Sequence, residues 1–274
     1  MDDQQHLPEG RATYPREAVR WLVGTDARSA LELGAGAGGL TDLLVALGHD
    51  VHATDPSADA VAVLAERLPV IRTSVATAEV LPVMDRSVDV VVCAQVFDQF
   101  TADAALTEIA RVLRPGGHLA LLWNTPDTKI PWVRKFAAIV DPDRSEPEAP
   151  DALVRSDRFG FVDNTSLRHW QTVHRESLCE VARQMPYIMR LDSASRERRL
   201  DQVRALYDDY ERGPDGMQLP WVAHCFRAAV VDNPWSTPRQ EGVNIPSSTP
   251  PTSPVDPSDD DGDDDGGDLL IDFR

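Results

Sequence analysis

The feature that most limits the fold of this chain is an apolar run that ends in alternating glycines. The run covers residues 30–33 and is followed by Gly34, Gly36 and Gly38, after which residues 40–47 form an amphipathic stretch. This order is typical of a strand, a tight turn and the start of a helix. Glycines leave bare main chain for a ligand, and the first N–H groups of a helix bind polar or anionic groups. The stretch therefore predicts a ligand-binding turn.

Two glycine patterns fit this turn, and they predict different ligands. Gly34, Gly36 and Gly39 match G-x-G-x-x-G, which is typical of dinucleotide binding. Together with Gly38 the first two also match the tighter G-x-G-x-G, which here follows Glu32. A carboxylate at the mouth of the turn would repel a pyrophosphate and attract an ammonium group. An amino-acid-bearing nucleotide such as S-adenosylmethionine is therefore favoured over NAD, and a purely structural turn is the remaining alternative.

A second acidic residue, Asp55, lies 21 residues beyond Gly34, at the end of the short strand predicted for residues 51–54. A carboxylate at this position is placed to accept both hydroxyls of an adenosine ribose. Alternatively, Asp55 caps the helix predicted for residues 57–67, because aspartate is a good N-cap residue. Together with the glycine turn, the ribose role is the favoured interpretation.

Strands and helices alternate along residues 30–123 at a spacing typical of a doubly wound α/β sheet. The β-branched run at residues 88–94 suits a central parallel strand, and a sharp turn at residues 114–117 precedes a fifth strand at residues 118–123. Ligands of such sheets lie beyond the carboxyl ends of the strands. The candidate ligand residues at these ends are those of the glycine turn, Asp55, Ala78, Glu79 and Gln95.

The charge of the chain argues against a nucleic-acid or anionic membrane partner. The formal net charge is −18, of which the nine aspartates and one arginine of residues 256–274 supply −8, so the remainder of the chain carries −10. Such an acidic chain disfavours nonspecific binding to polyanions and leaves a small molecule as the expected substrate.

No apolar run reaches the ~18 residues of a membrane span. Three scattered cysteines and a polar N-terminus without a signal-peptide pattern favour a cytoplasmic protein with reduced thiols.

The sequence resembles the class I S-adenosylmethionine-dependent methyltransferases through five motifs in order. They are Glu32-Leu33-Gly34-Ala35-Gly36-Ala37-Gly38, Asp55, Ala78-Glu79-Val80-Leu81-Pro82, Ser87-Val88-Asp89-Val90-Val91 and Arg111-Val112-Leu113-Arg114-Pro115-Gly116-Gly117. Within that class it is similar to the small-molecule group that includes trans-aconitate and ubiquinone/menaquinone-type enzymes. The resemblance implies a Rossmann-like sheet of seven strands with an antiparallel final hairpin and helices on both faces.

The resemblance also implies roles for individual residues. Glu32 and the turn residues Gly34, Ala35 and Gly36 would hold the methionine part of S-adenosylmethionine. Asp55 would bind the ribose, and Ala78 and Glu79 would border the adenine. Gln95, after the fourth predicted strand, completes the predicted cofactor site. Asp89 is expected to be structural.

One segment departs from the pattern of the bacterial branch that this sequence most resembles. That branch carries His-Trp after the fourth strand, where this chain has Asp98 and Gln99. The replacement makes the predicted pocket smaller, wetter and more acidic. Asp98 is the residue nominated as base for the methyl acceptor. A module that binds S-adenosylmethionine without catalysis is the second hypothesis, and a nicotinamide-dependent oxidoreductase is the third.

The domain is predicted to cover residues 13–232, after a flexible segment at residues 1–12. Its second half is expected to contain a hairpin with strands at residues 164–170 and 219–231, and helices at residues 176–189 and 195–212. His169, His174 and His224 lack partners at ligand spacing, so no metal is predicted. Residues 233–274 are rich in Pro, Ser and Asp, which predicts a disordered acidic tail with a possible weak protein partner. The oligomeric state has no signature in the sequence.

Overall fold

A computed structural model of the protein describes residues 14–143, 145–210, 213 and 215–231. Seven strands of this part of the chain form one sheet: β1 (Ser29–Leu33), β2 (Asp50–Asp55), β3 (Arg72–Val75), β4 (Val88–Ala94), β5 (Leu113–Pro126), β6 (Phe159–Val173) and β7 (Met217–Val230). The helices are α1 (Arg16–Val23), α2 (Gly39–Ala46), α3 (Ala58–Arg67), α4 (Ala102–Val112), α5 (Pro131–Val140), α6 (Asp151–Val154), α7 (Arg175–Arg183), α8 (Pro186–Met189) and α9 (Ser193–Tyr210). A short 3-10 helix, Phe97–Gln99, follows β4.

The strand order in the sheet is β3-β2-β1-β4-β5-β7-β6. Strands β1 to β5 pair in parallel, whereas β7 runs antiparallel to both β5 and β6. The continuous apolar run of β4 lies at the centre, where helices cover both faces of a parallel sheet. The predicted fold class, a doubly wound Rossmann-like sheet of seven strands with an antiparallel final hairpin, is confirmed.

Alternating side chains of the strands separate two apolar cores, one on each face of the sheet. On one face, called the α1–α3 face, Ala30 of β1 and Leu122 of β5 pack with Leu44 of α2 and Leu64 of α3. The opposite face carries Leu31, Val91 and Leu121, which pack with α4 and α6. Because side chains on a strand alternate, Glu32 and Asn124 lie on the α1–α3 face with Ala30 and Leu122.

A third core lies at the carboxyl end of β5 and joins the β6–β7 hairpin to helices α5, α7, α8 and α9. These four helices are here called the cap. Its largest members, Phe136 of α5, Tyr207 of α9 and Trp221 of β7, are at most 2% exposed. Because Trp221 pairs with Pro126, the last residue of β5, this core begins beyond Leu122, where the parallel pairing of β5 with β4 ends. The cap therefore covers the end of the sheet at which the ligand is expected.

Two predicted segments differ from the structure. The turn at residues 114–117 forms a bulge within β5: Leu113 pairs with Val88 and His118 with Val90, so four residues lie opposite Asp89. Residues 176–189 form two helices, because the proline at the start of α8 forces the preceding residue into an extended conformation.

The domain boundaries predicted for the two termini lie outside the described residues. The flexible segment at residues 1–12 and the acidic tail at residues 233–274 belong to those parts of the chain. Among the described helices, none combines the length and the apolar character needed to cross a bilayer. All three cysteines are buried and unpaired, as expected for reduced thiols.

Candidate active site

The glycine turn connects β1 to α2 and has a conformation that needs glycine. Gly34, Gly36 and Gly38 have φ values of 67°, 53° and 84°. A Cβ on Gly34 would lie 2.9 Å from a methyl carbon of Val96, whereas a Cβ on Gly36 would meet no atom within 4 Å. Gly34 is therefore needed for packing against the segment after β4. At Gly36 the main chain borders open space in which a ligand can lie.

Asp55, the last residue of β2, holds the turn through its carboxylate. One oxygen accepts a hydrogen bond from the Gly36 N–H at 2.8 Å, and the other accepts one from the Ser57 N–H at 2.8 Å. Ser57, and not Asp55, is the N-cap of α3. Asp55 is 9% exposed. Its carboxylate thus lies in the site predicted for it, where it also orders the glycine turn.

Arg67, at the end of α3, closes the turn from the other side. It forms an ion pair with Asp42 of α2 at 2.5 Å and donates hydrogen bonds to the carbonyl oxygens of Ala37 and Gly38 at 2.8 and 3.2 Å. A Cβ on Gly38 would overlap the Arg67 guanidinium and Leu64. Nothing in the sequence pointed to Arg67, since a lone arginine at a helix end carries no motif.

Glu32, predicted to bind the methionine part, is a buried carboxylate. It is 2% exposed and accepts a hydrogen bond from the Thr41 hydroxyl at 2.7 Å. Burial, with smaller contributions from Asp42 and Asp55, raises the pKa of Glu32 to about 8. Among the described residues it forms no ion pair. Burial also raises the pKa of the Tyr14 hydroxyl, and the nearby Glu32 carboxylate adds to that rise, so Tyr14 lies near Glu32.

Ala78 and Glu79 lie in the loop between β3 and β4. Ala78 is 5% exposed and packs into the core on the α4 face of the sheet. The Glu79 carboxylate accepts a hydrogen bond at 2.9 Å from the N–H of Thr101, the residue before α4, and this bond is the main reason that its pKa is lowered. Glu79 therefore joins the predicted adenine-bordering loop to the start of α4.

Gln95, the first residue after β4, is one of two described residues other than glycine with a positive φ, here 64°. Its N–H donates to the Leu122 carbonyl at 2.9 Å, and its side-chain Nε2 donates to the Asn124 carbonyl at 3.0 Å. The next residue, Val96, packs on Gly34. Gln95 thus connects the glycine turn to the end of β5 in a conformation that costs energy, as is common at functional sites.

Asn124 continues this connection to His169, one of the three histidines for which the sequence predicted no metal. The His169 Nε2 lies 3.0 Å from the Asn124 Oδ1, and Asn124 is 2% exposed. Burial lowers the pKa of His169 to about 4, with no contribution from a charged neighbour. Nothing in the sequence pairs Asn124 with His169, which lies 45 positions further along the chain.

Asp98, the nominated base, lies in the 3-10 helix after β4 and is exposed. His174 is also exposed, and His224 contacts Thr125 and Ser166 on the opposite side of the hairpin from His169. No group of three or more His, Cys, Asp or Glu side chains in the described part of the chain is arranged to hold a metal. A surface depression of about 610 Å³ lies between α4 and α6, and its lining contains none of the predicted cofactor residues.

Comparison with known proteins identifies the family. A protein-family model described as a methyltransferase domain matches residues 31–121. An uncharacterized methyltransferase of Mycobacterium tuberculosis is 36% identical over 224 residues, which cover 81% of this chain and 91% of that protein. A ubiquinone/menaquinone biosynthesis C-methyltransferase of Rubrivivax gelatinosus is 32% identical over 179 residues, which cover 60% of this chain and 71% of that protein.

A solved structure supports the fold independently. A protein of Anaeromyxobacter dehalogenans assigned as a type II methyltransferase has a TM-score of 0.57 and 22% identity, with coverage of 80% of this chain and 97% of that protein. The chain belongs to the class I S-adenosylmethionine-dependent methyltransferases. It is a methyltransferase with S-adenosylmethionine as its cofactor.

The residues present fit this cofactor. The open space at Gly36 accepts a ligand against the main chain, and the Glu32 carboxylate is buried without a cationic partner among the described residues. An ammonium group beside Glu32 would compensate the burial of its charge. The family does not include nicotinamide-dependent oxidoreductases, so the third hypothesis is excluded.

Proposed function

We propose that this methyltransferase transfers a methyl group to a small-molecule acceptor by in-line displacement. The observation that carries the proposal is the glycine turn, where the main chain at Gly36 borders open space and bonds to Asp55, and the preceding strand carries the buried Glu32. The bound cofactor supplies a methyl group that is already electrophilic. The chain's own residues therefore have to hold donor and acceptor in line, and such positioning lowers a barrier by ~7–11 kcal/mol.

The predicted cofactor residues divide the binding among them. Glu32 would pair with the ammonium group, and the main chain of Gly34, Ala35 and Gly36 would lie along the methionine part. Each Asp55 oxygen has one hydrogen bond from the main chain and a further lone pair for a ribose hydroxyl. These assignments rest on the motif match and on the burial and hydrogen bonds of the side chains.

The remaining predicted residues border the reacting end and the adenine. Ala78 and Glu79 would flank the adenine through their main chain, since the Glu79 carboxylate is bonded to Thr101. Gln95 would lie beside the methionine part, next to Val96 and the turn. Asp98 remains the base that the sequence nominates, on the exposed 3-10 helix after β4.

The substitution Gly36→Ala tests the proposal, with Gly48→Ala as the matched control. Both glycines have a positive φ, 53° and 88°, and at both an added Cβ meets no protein atom within 4 Å. Each substitution should destabilise the free protein by ~1–2 kcal/mol for the same backbone reason. Only Gly36→Ala should weaken binding of S-adenosylmethionine and S-adenosylhomocysteine, by at least about tenfold, because its Cβ would occupy ligand space.

Isothermal titration and thermal unfolding with both compounds measure this difference. Equal affinities in the two variants would contradict the assigned cofactor position. Methyl transfer is then measured with labelled S-adenosylmethionine and a panel of small acceptors. Binding of both compounds without transfer to any acceptor would favour the second hypothesis, a non-catalytic binding module.

A further inference from the structure

A row of polar side chains crosses the carboxyl end of the sheet between the core of the α1–α3 face and the cap core. It consists of Gln95, Asn124 and His169, joined by two hydrogen bonds of 3.0 Å through Asn124. On the sheet side the apolar core ends at Leu122, Ala223 and Leu167. On the cap side the next apolar core begins at Trp221, Leu219 and Val173. Polar groups between two apolar cores define a place where a polar substrate atom can be held.

His169 lies four residues beyond the level of Leu122, where the parallel pairing of β5 with β4 ends, and on the same face as Glu32. It pairs with Trp221 of β7, which in turn pairs with Pro126, the last residue of β5. Two residues earlier on β6, Leu167 packs against the core that contains Ala30. The alternation of side chains along β6 therefore places His169 on the α1–α3 face.

The hydrogen bond with Asn124 leaves the other ring nitrogen of His169 available. The Asn124 Oδ1 accepts, so the Nε2 carries the proton and the Nδ1 holds a lone pair. Within the described part of the chain the Nδ1 has no hydrogen-bond partner, and it is not among the fully buried unpartnered nitrogens. It therefore reaches accessible space.

We propose that His169 is the general base of the reaction and that the acceptor's nucleophile is a hydroxyl group. This inference rests on the proposed methyl transfer. The hydroxyl oxygen forms the new bond to the methyl carbon, and the carbon–sulfur bond breaks with its electron pair going to sulfur. The hydroxyl proton moves to the Nδ1, and the imidazolium later releases it to water. Asn124 and Gln95 are positioning residues, because they hold the ring and join it to the glycine turn.

The environment of His169 matches this role. Burial alone lowers its pKa, so the ring is neutral at physiological pH. Its strand neighbour Trp221 and its hydrogen-bond partner Asn124 are uncharged, and the Arg168 and Asp127 side chains pair with each other at 2.9 Å. A weak base suffices for a hydroxyl, because the oxygen becomes strongly acidic as it is methylated. It would not deprotonate an ammonium group, and a carboxylate acceptor would need no base.

Chemical modification tests the free Nδ1 without requiring the acceptor. The wild-type protein is treated with diethyl pyrocarbonate between pH 5 and 7, with N-acetylhistidine as a reference in the same tube. As the pH is lowered, the reference becomes protonated near pH 6.5 and reacts more slowly, whereas His169 stays neutral. The rate of carbethoxylation at His169 divided by that of the reference should therefore rise toward low pH. An unmodified His169, or a rate that follows the reference, would overturn the proposal.

Kinetics of His169→Ala, His169→Asn and Asp98→Ala complete the test. With a hydroxyl acceptor from the panel, both His169 variants should lose ~10²–10⁴-fold in kcat, while the affinity for S-adenosylhomocysteine stays within about threefold. Trp170→Ala, which removes a 59% exposed side chain next to His169, should keep more than half of the activity. If Asp98→Ala lost activity while both His169 variants kept it, Asp98 and not His169 would be the general base. A wild-type protein that binds S-adenosylhomocysteine but transfers no methyl group would instead contradict the proposed function itself.

Discussion

The two ends of the proposed reaction are built differently in this molecule. On the cofactor side, the stabilising contacts join residues close in the chain: Thr41 to Glu32 across 9 positions and Gly36 to Asp55 across 19. On the cap side, they join distant residues: His169 to Asn124 across 45 positions and Trp221 to Gln171 across 50. The cofactor side is assembled from neighbouring strands and turns, whereas the acceptor side requires the complete hairpin and cap.

This difference implies that substitutions on one side affect the other side little. The glycine turn is held by main-chain hydrogen bonds and by Arg67, none of which involves the cap. The polar row that includes His169 lies against the cap core. A substitution in the cap should therefore affect methyl transfer more than cofactor binding, and one in the turn should do the reverse.

The largest expected effect comes from Trp221→Ala. Trp221 is fully buried in the cap core and donates a hydrogen bond to the Gln171 Oε1 at 3.0 Å. Its removal should lower the free energy of unfolding by ~3–5 kcal/mol. In the folded variant, transfer should fall by at least about tenfold because the cap no longer holds the acceptor side. S-adenosylhomocysteine affinity measured by titration should change by less than about threefold.

The control for this variant is Trp170→Ala, one residue from His169 on β6. Trp170 is 59% exposed, so its removal should change stability by no more than ~0.5 kcal/mol. Both variants are compared by denaturant unfolding. If Trp221→Ala abolished cofactor binding in the folded protein, the two sides would not be separable.

Per pH unit, a smaller effect is expected from Glu32→Gln. Because burial raises the pKa of Glu32 from 4.5 to about 8, the folded protein binds a proton that the unfolded chain has released within this window. The free protein should therefore lose stability as the pH rises from about 4.5 to about 8, by up to ~1.4 kcal/mol per pH unit. Glu32→Gln should flatten this dependence.

Cofactor binding should follow the opposite trend, because an ammonium partner needs the ionised carboxylate. In the wild-type protein, affinity for S-adenosylhomocysteine should rise between pH 6 and pH 8, whereas in Glu32→Gln it should be lower and nearly constant. Thermal unfolding with and without the compound at each pH gives both quantities. A wild-type stability that increased across this window would contradict the buried protonated state of Glu32.

The smallest effect is expected from Gln95→Gly at the junction of the two sides. Glycine adopts the φ of 64° without the strain that a Cβ causes, and this gain should offset the loss of the hydrogen bond to the Asn124 carbonyl. The free energy of unfolding should therefore change by less than ~1 kcal/mol. S-adenosylhomocysteine binding should weaken about threefold to tenfold. Arg86→Gly, at the other described non-glycine residue with positive φ, 50°, is the control. Equal affinities in the two variants would remove Gln95 from the cofactor site.

The conformation of the glycine turn and the position of Asp55 could be predicted from the sequence. The spacing of Gly34, Gly36 and Gly38 predicted the turn, because only glycine adopts these φ values without strain. Asp55 was predicted at the end of its strand, and the structure shows it there with a bond to Gly36. Alternating strands and helices predicted the parallel order, because right-handed crossovers leave few other arrangements.

The amino-acid sequence by itself thus determined the fold class, the glycine turn and the acidic residues around it, since these depend on local backbone conformation and strand periodicity. The tertiary structure alone decided the pairing of Asn124 with His169 and the buried state of Glu32. Burial and long-range pairing depend on which strands become neighbours. The antiparallel insertion of β7 between β5 and β6 brings together side chains that no spacing in the sequence connects.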